Sequence, residues 1–487
     1  MQEHESHAIS RRAAVTGLVA GALVVGLDPV TRTWATAAHA AGPLDAVPSL
    51  DGTLRTDAAS LAAAADDFGH IVSRTPLAVL EPGSVSDIAK MVKFCRPRGI
   101  KVAGRGQGHT TQGQAQVSGG LVIETGPLNS IQILSDRAVV GGGTTWSALL
   151  QASLAQGLTP PTLTDYLGLS VGGTLSNGGL GGQIIHHGAQ VDNVLELEVV
   201  TGKGDVLRCS PTLRKDLFDA ARSGLGQVGI ITEAVVKLVP APATVRRYNL
   251  FYPSVAALTA AQRAMCEDGR FDYLEGQIGL AEGGHTFLME AVKYNATPAD
   301  DAALIGDLTH TSVTIDDLTY WDFADRIGPI VDILKAIGEW QRPHPWLDSV
   351  VAGSAVNSLV TGALPDLTPE KIGLSGVILL YAIPTKKVKA PLLRLGSTRE
   401  LNEKYAFLFS LLRTSSPGSL DPAAMIALNK AFYKKNRLRG GGWYPVGSNP
   451  LSKAEWVVHF GTAYPAFLLA KAKYDPSRIL APGQGIF

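Results

Sequence analysis

A glycine-rich turn directly after a predicted strand is the feature that most constrains how this chain can fold. Residues 104–110 read GRGQGHT and follow a short apolar strand at residues 101–103. Glycines at every second position let main-chain N–H groups approach a ligand closely, as the binding of a pyrophosphate requires. No GxGxxG motif opens a helix at this point, so the segment is not the fingerprint of a nicotinamide-dinucleotide site.

Hydrophobic spacing predicts a mixed α+β fold on both sides of this turn. Strands at residues 78–80 and 101–103 flank an amphipathic helix beginning near Val85, which makes a βαβ unit. A β-hairpin is predicted over residues 194–207, and a strand over residues 230–238 is closed by Pro240. Beyond this proline, strands at 247–252, 273–278 and 287–294 alternate with helices, and residues 453–474 have the pattern of one helix. Two α+β domains are therefore expected.

Composition supports two globular domains and excludes several classes of function. The chain has 487 residues, of which 45% are apolar and 18% charged, enough for two cores. The 43 basic residues balance the 43 acidic ones, so no net field attracts nucleic acid or an anionic membrane. Its three cysteines, at 95, 209 and 266, have no CxxC spacing, which argues against a zinc site and a disulfide scaffold. A single disulfide between two of them stays open.

The first forty residues have the features of an export signal. Ser10, Arg11 and Arg12 precede an apolar run at residues 13–27, and Ala38-His39-Ala40 is a small-x-small cleavage pattern. The paired arginines favour the twin-arginine route, which carries folded proteins, over an ordinary secretory signal. No later stretch approaches the roughly 20 apolar residues of a membrane span. We therefore expect a secreted protein without a membrane span.

His109 is the candidate reactive residue of the glycine-rich turn. A neutral imidazole can attack an electrophilic ring substituent, which would attach a cofactor covalently. The alternative is a buried structural histidine, and the local spacing does not separate the two interpretations. Further blocks accompany the turn: LTPPTLTDY at 158–166, LSVGGTLSNGG at 169–179, HGAQ at 187–190 and GLGQVGIIT at 224–232.

With these blocks the chain resembles the vanillyl-alcohol-oxidase-type (PCMH-type) FAD-binding flavoproteins, and within them the cytokinin dehydrogenases. The resemblance continues in YLEG at 273–276, PHPWL at 343–347, HFG at 459–461, YDP at 474–476 and LAPGQGIF at 480–487. It implies a signal peptide at 1–40, an FAD-binding domain at 41–243, a substrate domain at 244–446 and a C-terminal return to the FAD-binding domain at 447–487. The FAD-binding domain is thus expected to be bipartite.

The resemblance also implies roles for individual residues. FAD is expected to be covalently bound through His109, Asp165 to act as the catalytic base, and Glu275 to face the purine of the substrate. His344 and Trp346 either shape the pocket wall or belong to the core. The cofactor-binding residues are expected to be Gly104, Arg105, Gly106, Gln107, Gly108, His109, Thr110, Gln114, Thr164, Asp165, Gly172, Thr174, Ser176, Gly178, Ile230, Ile231 and Gln484.

The reaction implied by the resemblance is the oxidative cleavage of an N6-isoprenoid adenine. A proton leaves the amine nitrogen, a hydride passes from the adjacent carbon to the flavin N5, and the imine hydrolyses to adenine and an aldehyde. The implied electron acceptor is a quinone-like compound or oxygen. In the plant enzymes a tryptophan lies near the substrate entrance, and Val388 is the matching position here, which leaves the substrate range open.

Two other functions compete with this interpretation. A relative of the same fold could oxidise a sugar or alcohol hydroxyl, although the intact Asp165 and Glu275 speak against it. A secreted purine-binding or flavin-binding protein without turnover is the second alternative. A doubly anchored flavin of the berberine-bridge type would need a cysteine near residues 171–182, where the sequence has none.

Overall fold

The computed structural model describes residues 24–28, 33–36 and 47–487. Strands β1 (Val24–Asp28) and β2 (Thr33–Thr36) pair antiparallel. Apart from these two strands, the predicted export signal at 1–40 lies outside the described residues.

The first sheet contains the strand that leads into the glycine-rich turn. Its strands are β3 (Thr53–Arg55), β4 (Ala78–Glu81), β5 (Val102–Arg105) and β6 (Leu121–Glu124), in the order β3-β4-β6-β5. Helices α1 (Ala58–Ala64) and α2 (Val85–Cys95) belong to this part of the chain. Helix α2 begins where Ser84 accepts a hydrogen bond from the N–H of Asp87, and it buries Ile88 and Val92. The predicted βαβ unit is confirmed, with β6 inserted between β4 and β5 and parallel to both.

A second, antiparallel sheet completes the N-terminal half, in the order β11-β10-β12-β8-β7. Its strands are β7 (Ile131–Ile133), β8 (Arg137–Gly141), β10 (Val194–Thr201), β11 (Val206–Cys209) and β12 (Gly229–Lys237), while β9 (Leu158–Thr159) pairs with β13 (Val239–Pro240). The helices are α3 (Trp146–Leu154), α4 (Val171–Asn177), α5 (Ile184–His187) and α6 (Lys215–Ala221). The predicted hairpin is β10-β11, and the strand predicted at 230–238 is β12.

The chain after the proline break builds one eight-stranded sheet, in the order β17-β14-β16-β15-β19-β20-β18-β21. Its strands are β14 (Thr244–Tyr252), β15 (Tyr273–Ala281), β16 (Gly284–Tyr294), β17 (Ser312–Thr319), β18 (Leu347–Ala352), β19 (Val377–Pro384), β20 (Tyr405–Leu412) and β21 (Gly442–Trp443). Its helices are α7 (Val255–Asp268), α8 (Asp301–Ile305), α9 (Tyr320–Ala324), α10 (Ile327–Ala336), α11 (Val356–Ala363), α12 (Pro369–Ile372) and α13 (Pro422–Arg437). The boundary expected at 243/244 falls between β13 and β14.

The C-terminal segment returns to the first sheet. The N–H of Val102 in β5 donates to the carbonyl of Ile479 at 2.8 Å, and the N–H of Ala481 donates to the carbonyl of Val102 at 2.8 Å. The segment with a helical pattern at 453–474 is helical in two parts, α14 (Lys453–Phe460) and α15 (Tyr464–Tyr474), joined by a 3-10 turn at Gly461–Ala463, where Gly461 has φ +49°. Pro465 lies in the first turn of α15, where its missing N–H costs nothing, and inside a continuous helix it would break the hydrogen-bond ladder.

The structure bears on two features considered from the sequence, a disulfide and a membrane-spanning helix. Cys95, Cys209 and Cys266 are all free, so the disulfide that the sequence left open is not formed. Among the described residues, no helix combines the length and apolar composition that a membrane crossing needs.

Candidate active site

A cavity of about 310 Å³ opens where the eight-stranded sheet meets the two N-terminal sheets. This volume is in the range of small-molecule pockets. One side of the cavity is lined mainly by four segments of the N-terminal half, which are residues 102–110, residues 164–166 and parts of 169–177 and 225–231. Residues 480, 481 and 484 of the C-terminal segment also line it. The eight-stranded sheet and its adjoining loops close the other side through Trp346, Asp348, Leu379, Tyr381, Leu408, Leu412, Tyr444 and Val446.

The glycine-rich turn presents unused backbone donors to this cavity. Within the described chain, none of the N–H groups of residues 106–110 donates to a protein acceptor. Gly108 has φ +62°, and a side chain at Gly106 would come within 2.0 Å of the Ser170 hydroxyl. Such a row of free N–H groups in a tight turn binds anionic oxygens, so the turn fits the diphosphate of a dinucleotide.

Asp67 forms hydrogen bonds with the last residue of the turn and with the loop that follows it. Its carboxylate accepts hydrogen bonds from the N–H of Gly113 at 2.6 Å, the N–H of Gly69 at 3.0 Å and the hydroxyl of Thr110 at 3.3 Å. Burial raises the pKa of Asp67 to about 6, while the hydrogen bonds from Gly113 and Gly69 act in the opposite direction. A carboxylate far from the turn in sequence therefore fixes its shape.

His109 lies among aromatic rings on the cavity wall. Its ring centroid is 4.1 Å from that of Phe68 and 5.1 Å from that of Tyr166. Burial, with a smaller contribution from the neighbouring His344, lowers the pKa of His109 to about 3. The imidazole is thus neutral near pH 7, which is the form with a nucleophilic nitrogen.

Asp165 lies on the cavity wall next to Tyr166, with its side chain 27% exposed. Its Oδ1 accepts a hydrogen bond from the Tyr273 hydroxyl at 2.9 Å and another from Arg326 Nη2 at 2.8 Å. In the described part of the chain, no hydrogen bond is made to Oδ2. Asp165 therefore has one oxygen held by the substrate-domain side and one oxygen available to a ligand.

Glu275 does not lie where the sequence predicted it. It was expected to face the substrate, but it is 1% exposed and does not line the cavity. It lies on β15 opposite Glu290, with Oε2 3.9 Å from Arg326 Nη2. Burial and the nearby Asp165 raise the pKa of Glu275 well above its ordinary value, which favours the neutral carboxyl.

Most of the predicted cofactor-binding residues lie at the cavity. Gly178 and the substrate-entrance position Val388 do not. The lining includes Gly104, Arg105, Gly106, Gln107, Gly108, His109, Thr110, Gln114, Thr164, Asp165, Gly172, Thr174, Ser176, Ile230, Ile231 and Gln484. Gly178 is the exception, because it ends α4 with φ +148° and packs beside Leu393 and Tyr444. Val388, matched to the entrance tryptophan, is buried and does not line the cavity either.

The sequence identified only part of the substrate-domain side of the cavity. Of the two residues expected either in the pocket wall or in the core, Trp346 lines the cavity, whereas His344 stacks on Phe68 at 4.0 Å. Asp348 on β18 is a buried carboxylate whose Oδ1 accepts a hydrogen bond from Ser410 at 2.7 Å, and burial raises its pKa to about 6. Arg326, which hydrogen-bonds to Asp165, was not predicted from the sequence either, because no local motif identifies it. In the part of the chain that the structure describes, no cluster of His, Cys, Asp or Glu has the arrangement of a metal site.

Two family models match the chain. Residues 76–210 match the model of an FAD binding domain, and residues 288–487 match the model described as "Cytokinin dehydrogenase 1, FAD and cytokinin binding". The first range contains the glycine-rich turn and Asp165, and the second contains Arg326 and the strands β18, β19 and β20 that help to close the cavity.

Curated relatives align over almost the whole chain. The chain is 37% identical to the oxidoreductase ORF5 in the fasciation locus of Rhodococcoides fascians, over 89% of this chain and 99% of the relative. It is 35% identical to cytokinin dehydrogenase 1 of Oryza sativa subsp. japonica, over 94% of this chain and 98% of the relative.

Solved structures share the fold at low sequence identity. Xylooligosaccharide oxidase from Myceliophthora thermophila superposes with a TM-score of 0.72 at 20% identity, over 88% of this chain and 95% of that chain. A VAO-type flavoprotein of the same organism gives 0.66 at 18% identity, over 87% and 85%. The predicted α+β fold of the vanillyl-alcohol-oxidase type is confirmed.

Proposed function

The chain belongs to the cytokinin dehydrogenase family of FAD-dependent oxidoreductases, and from this we propose that it cleaves the side chain of N6-isoprenoid adenines. The observation that supports this most directly is the position of Asp165. Asp165 lines the same cavity as His109 and the glycine-rich turn, and its two hydrogen bonds in the described chain both go to Oδ1. A base beside a cofactor site is what the oxidation of an amine to an imine requires.

The chain's own residues divide the work of this reaction. FAD, when bound, supplies the hydride acceptor through its N5 atom. The N–H groups of residues 106–110 bind its diphosphate. Asp165 takes the proton from the amine nitrogen through Oδ2, and Leu379, Leu408 and Leu412 provide an apolar wall suited to an isoprenoid side chain. Water then hydrolyses the imine to adenine and an aldehyde.

His109 is proposed as the covalent attachment point of FAD. It is neutral at working pH, lines the cavity and follows directly on the donors of the glycine-rich turn. A neutral imidazole nitrogen is the kind of nucleophile that a covalent bond to the flavin would require. Histidyl attachment favours the oxidation of an amine and the passage of electrons to a quinone-like acceptor or to oxygen.

Export is a separate proposal that rests on the sequence. Residues 1–40 are proposed to direct the chain through the twin-arginine route. Replacing both Arg11 and Arg12 by Lys should leave the protein inside a bacterial host, whereas the unchanged chain should appear outside the cytoplasm with a new N-terminus near residue 41. Export of the double variant at the normal level would contradict this.

Anaerobic titration of the yellow holoenzyme tests the reaction itself. Isopentenyladenine should bleach the flavin within one turnover and release adenine. Bleaching by oligosaccharides alone would show instead a sugar oxidase, which the apolar wall of Leu379, Leu408 and Leu412 disfavours. Binding of isopentenyladenine without bleaching would show a purine-binding protein without turnover.

A further inference from the structure

The candidate base is held by a buried arginine that no sequence motif marks. Arg326 directly precedes α10, and its side chain is only 14% exposed. The guanidinium carbon lies 4.7 Å from the ring centroid of Phe323 and 5.2 Å from that of Tyr273, and Nη1 donates to the carbonyl of Phe323 at 3.3 Å. Packing on two rings and a backbone contact leave Nη2 in one position.

Nη2 of Arg326 is shared by four oxygen-bearing groups. It donates to Asp165 Oδ1 at 2.8 Å and to Glu290 Oε2 at 3.3 Å, it contacts the Tyr273 hydroxyl, and it lies 3.9 Å from Glu275 Oε2. Tyr273 in turn donates its own proton to Asp165 Oδ1. Both hydrogen bonds to Asp165 therefore end on the same oxygen, and Oδ2 accepts none from the described residues.

Ion pairs connect this cluster, and Arg326 is the cation paired with Asp165 among the described residues. Burial raises the pKa of Glu275 well above its ordinary value, which favours its neutral form. Arg247 on β14 lies 3.4 Å from Glu290 and 2.9 Å from Asp316, so it is shared between two carboxylates on the side away from Asp165. Tyr273 and Tyr381 are the other titratable groups that face the cluster, and burial raises the pKa of both hydroxyls well above the ordinary value. Without Arg326, the partly buried carboxylate of Asp165 would lose the cation that is paired with it in the described chain.

We propose that Arg326 is a positioning residue, which holds Asp165 by Oδ1 and directs Oδ2 to the amine proton of the substrate. This assignment rests on the proposed function, in which Asp165 is the base. The N–H bond of the substrate breaks as the Oδ2–H bond forms, and the hydride leaves the neighbouring carbon to the cofactor. Arg326 itself exchanges no proton.

Chemical rescue separates positioning from a general structural role. In Arg326→Ala, flavin bleaching by saturating substrate should slow roughly 10- to 100-fold, which corresponds to losing a charge-assisted hydrogen bond. Millimolar guanidinium should restore part of the rate in Arg326→Ala but not in Asp165→Asn, because only the first variant keeps a base to position. The acid limb of the rate profile of Arg326→Ala should also move to higher pH, since a neighbouring cation favours the carboxylate.

A matched variant controls for the loss of an arginine that pairs with two carboxylates elsewhere in the domain. Arg270 is paired with Asp268 and Asp307 in the same domain, away from the cavity. Arg270→Ala should bleach at the wild-type rate and should not respond to guanidinium. If Arg326→Ala does not fold, Arg326→Lys provides the test instead. This variant should fold, its flavin should be bleached more slowly than in the wild type, and the acid limb of its pH–rate profile should move to higher pH.

Three results would overturn the assignment. They are a wild-type bleaching rate in Arg326→Ala, a slowed but folded Arg326→Ala that guanidinium does not restore, and an Arg326→Lys variant with unchanged rate and pH profile. Failure of the proposed function looks different. If the wild type is bleached by another substrate class, the rescue is measured with that substrate. If no substrate bleaches the wild type, both proposals fall.

Discussion

The imidazole of His109 stacks on the ring of Phe68, with 4.1 Å between the ring centroids and 27° between the planes. Phe68 also stacks on His344 at 4.0 Å, and its N–H donates to the carbonyl of Gly108 at 2.8 Å. The orientation of His109 is thus set by a residue outside the glycine-rich turn, both through its ring and through its backbone. The covalent attachment proposed at His109 would depend on that orientation.

Acid precipitation of the protein tests the attachment at His109. His109→Ala should lose all flavin colour from the precipitate, because the nucleophilic nitrogen is gone, whereas wild-type precipitate should stay yellow. His187→Ala, which removes an exposed histidine of the HGAQ block, should behave as wild type. A yellow precipitate from His109→Ala would place the bond on another residue.

Phe68→Leu should lower the fraction of flavin that is acid-stable. The change removes an aromatic stack that contributes about 1 kcal/mol and lets the imidazole turn. The ratio of acid-stable to total flavin measures this effect. Phe94→Leu truncates a buried ring of α2 away from the cavity and should destabilise the fold while leaving the ratio unchanged. Equal ratios in the two variants would argue against orientation by Phe68.

Asp165→Asn should keep its flavin and lose turnover. The amide keeps the size of the carboxylate but cannot accept the amine proton, so the bleaching rate should fall by at least about 100-fold. Stopped-flow absorbance of the flavin gives the rate, and total flavin absorbance gives the loading. Asp332→Asn, on the outer part of α10, is the control and should bleach normally. Unchanged bleaching in Asp165→Asn would exclude it as the base.

Asp348→Asn should change how stability depends on pH. The folded-state pKa of Asp348 is raised to about 6 by burial, so the folded protein binds this proton more tightly than the unfolded chain. This difference adds at most about 3 kcal/mol to the free energy of unfolding. The stabilisation is present in full below the pKa of the unfolded chain, about 4, and is lost as the pH rises through about 6.

Denaturant unfolding at pH 4.5 and pH 7.5 measures this difference. The wild type should lose more stability than Asp348→Asn between the two pH values, because the amide never ionises. The exposed Glu282→Gln serves as the control and should follow the wild type. Parallel losses in wild type and Asp348→Asn would contradict the protonation of Asp348.

Lys471→Met should destabilise the fold and weaken flavin binding. Lys471 and Asp475 form a buried ion pair at 2.8 Å, and Asp475 accepts hydrogen bonds from the N–H groups of Ile479 and Leu480, which lie against β5. Removing one partner of a buried pair costs about 3–5 kcal/mol of unfolding free energy. It should also loosen the C-terminal segment that brings Gln484 to the cavity.

The exposed pair between Lys473 and Asp216 is the matched control. Lys473→Met should cost at most about 1 kcal/mol, because solvent screens an exposed pair. Thermal unfolding compares the two variants, and flavin release on dilution compares cofactor binding. Similar losses from Lys471→Met and Lys473→Met would show that the buried pair has no special role.

The sequence by itself determined the parts of this protein that depend on neighbouring residues. The βαβ unit, the hairpin β10-β11 and the glycine-rich turn follow from local hydrophobic period and from glycine, and His109 and Asp165 lie within short blocks. The helical pattern at 453–474 is divided only at Gly461–Ala463. Gly178 belongs to the block at 169–179 that resembles the family, but it does not line the cavity.

Only the tertiary structure decided which distant groups surround these residues. Arg326 is 161 positions from Asp165 and Tyr273 is 108 positions away, yet both bind its Oδ1. Glu275 is on the expected strand, but sheet packing puts it behind Asp165 and out of the cavity. Phe68 holds His109 although no spacing connects them. Charge balance, burial and ring stacking act through space, so they exist only once the domains are packed.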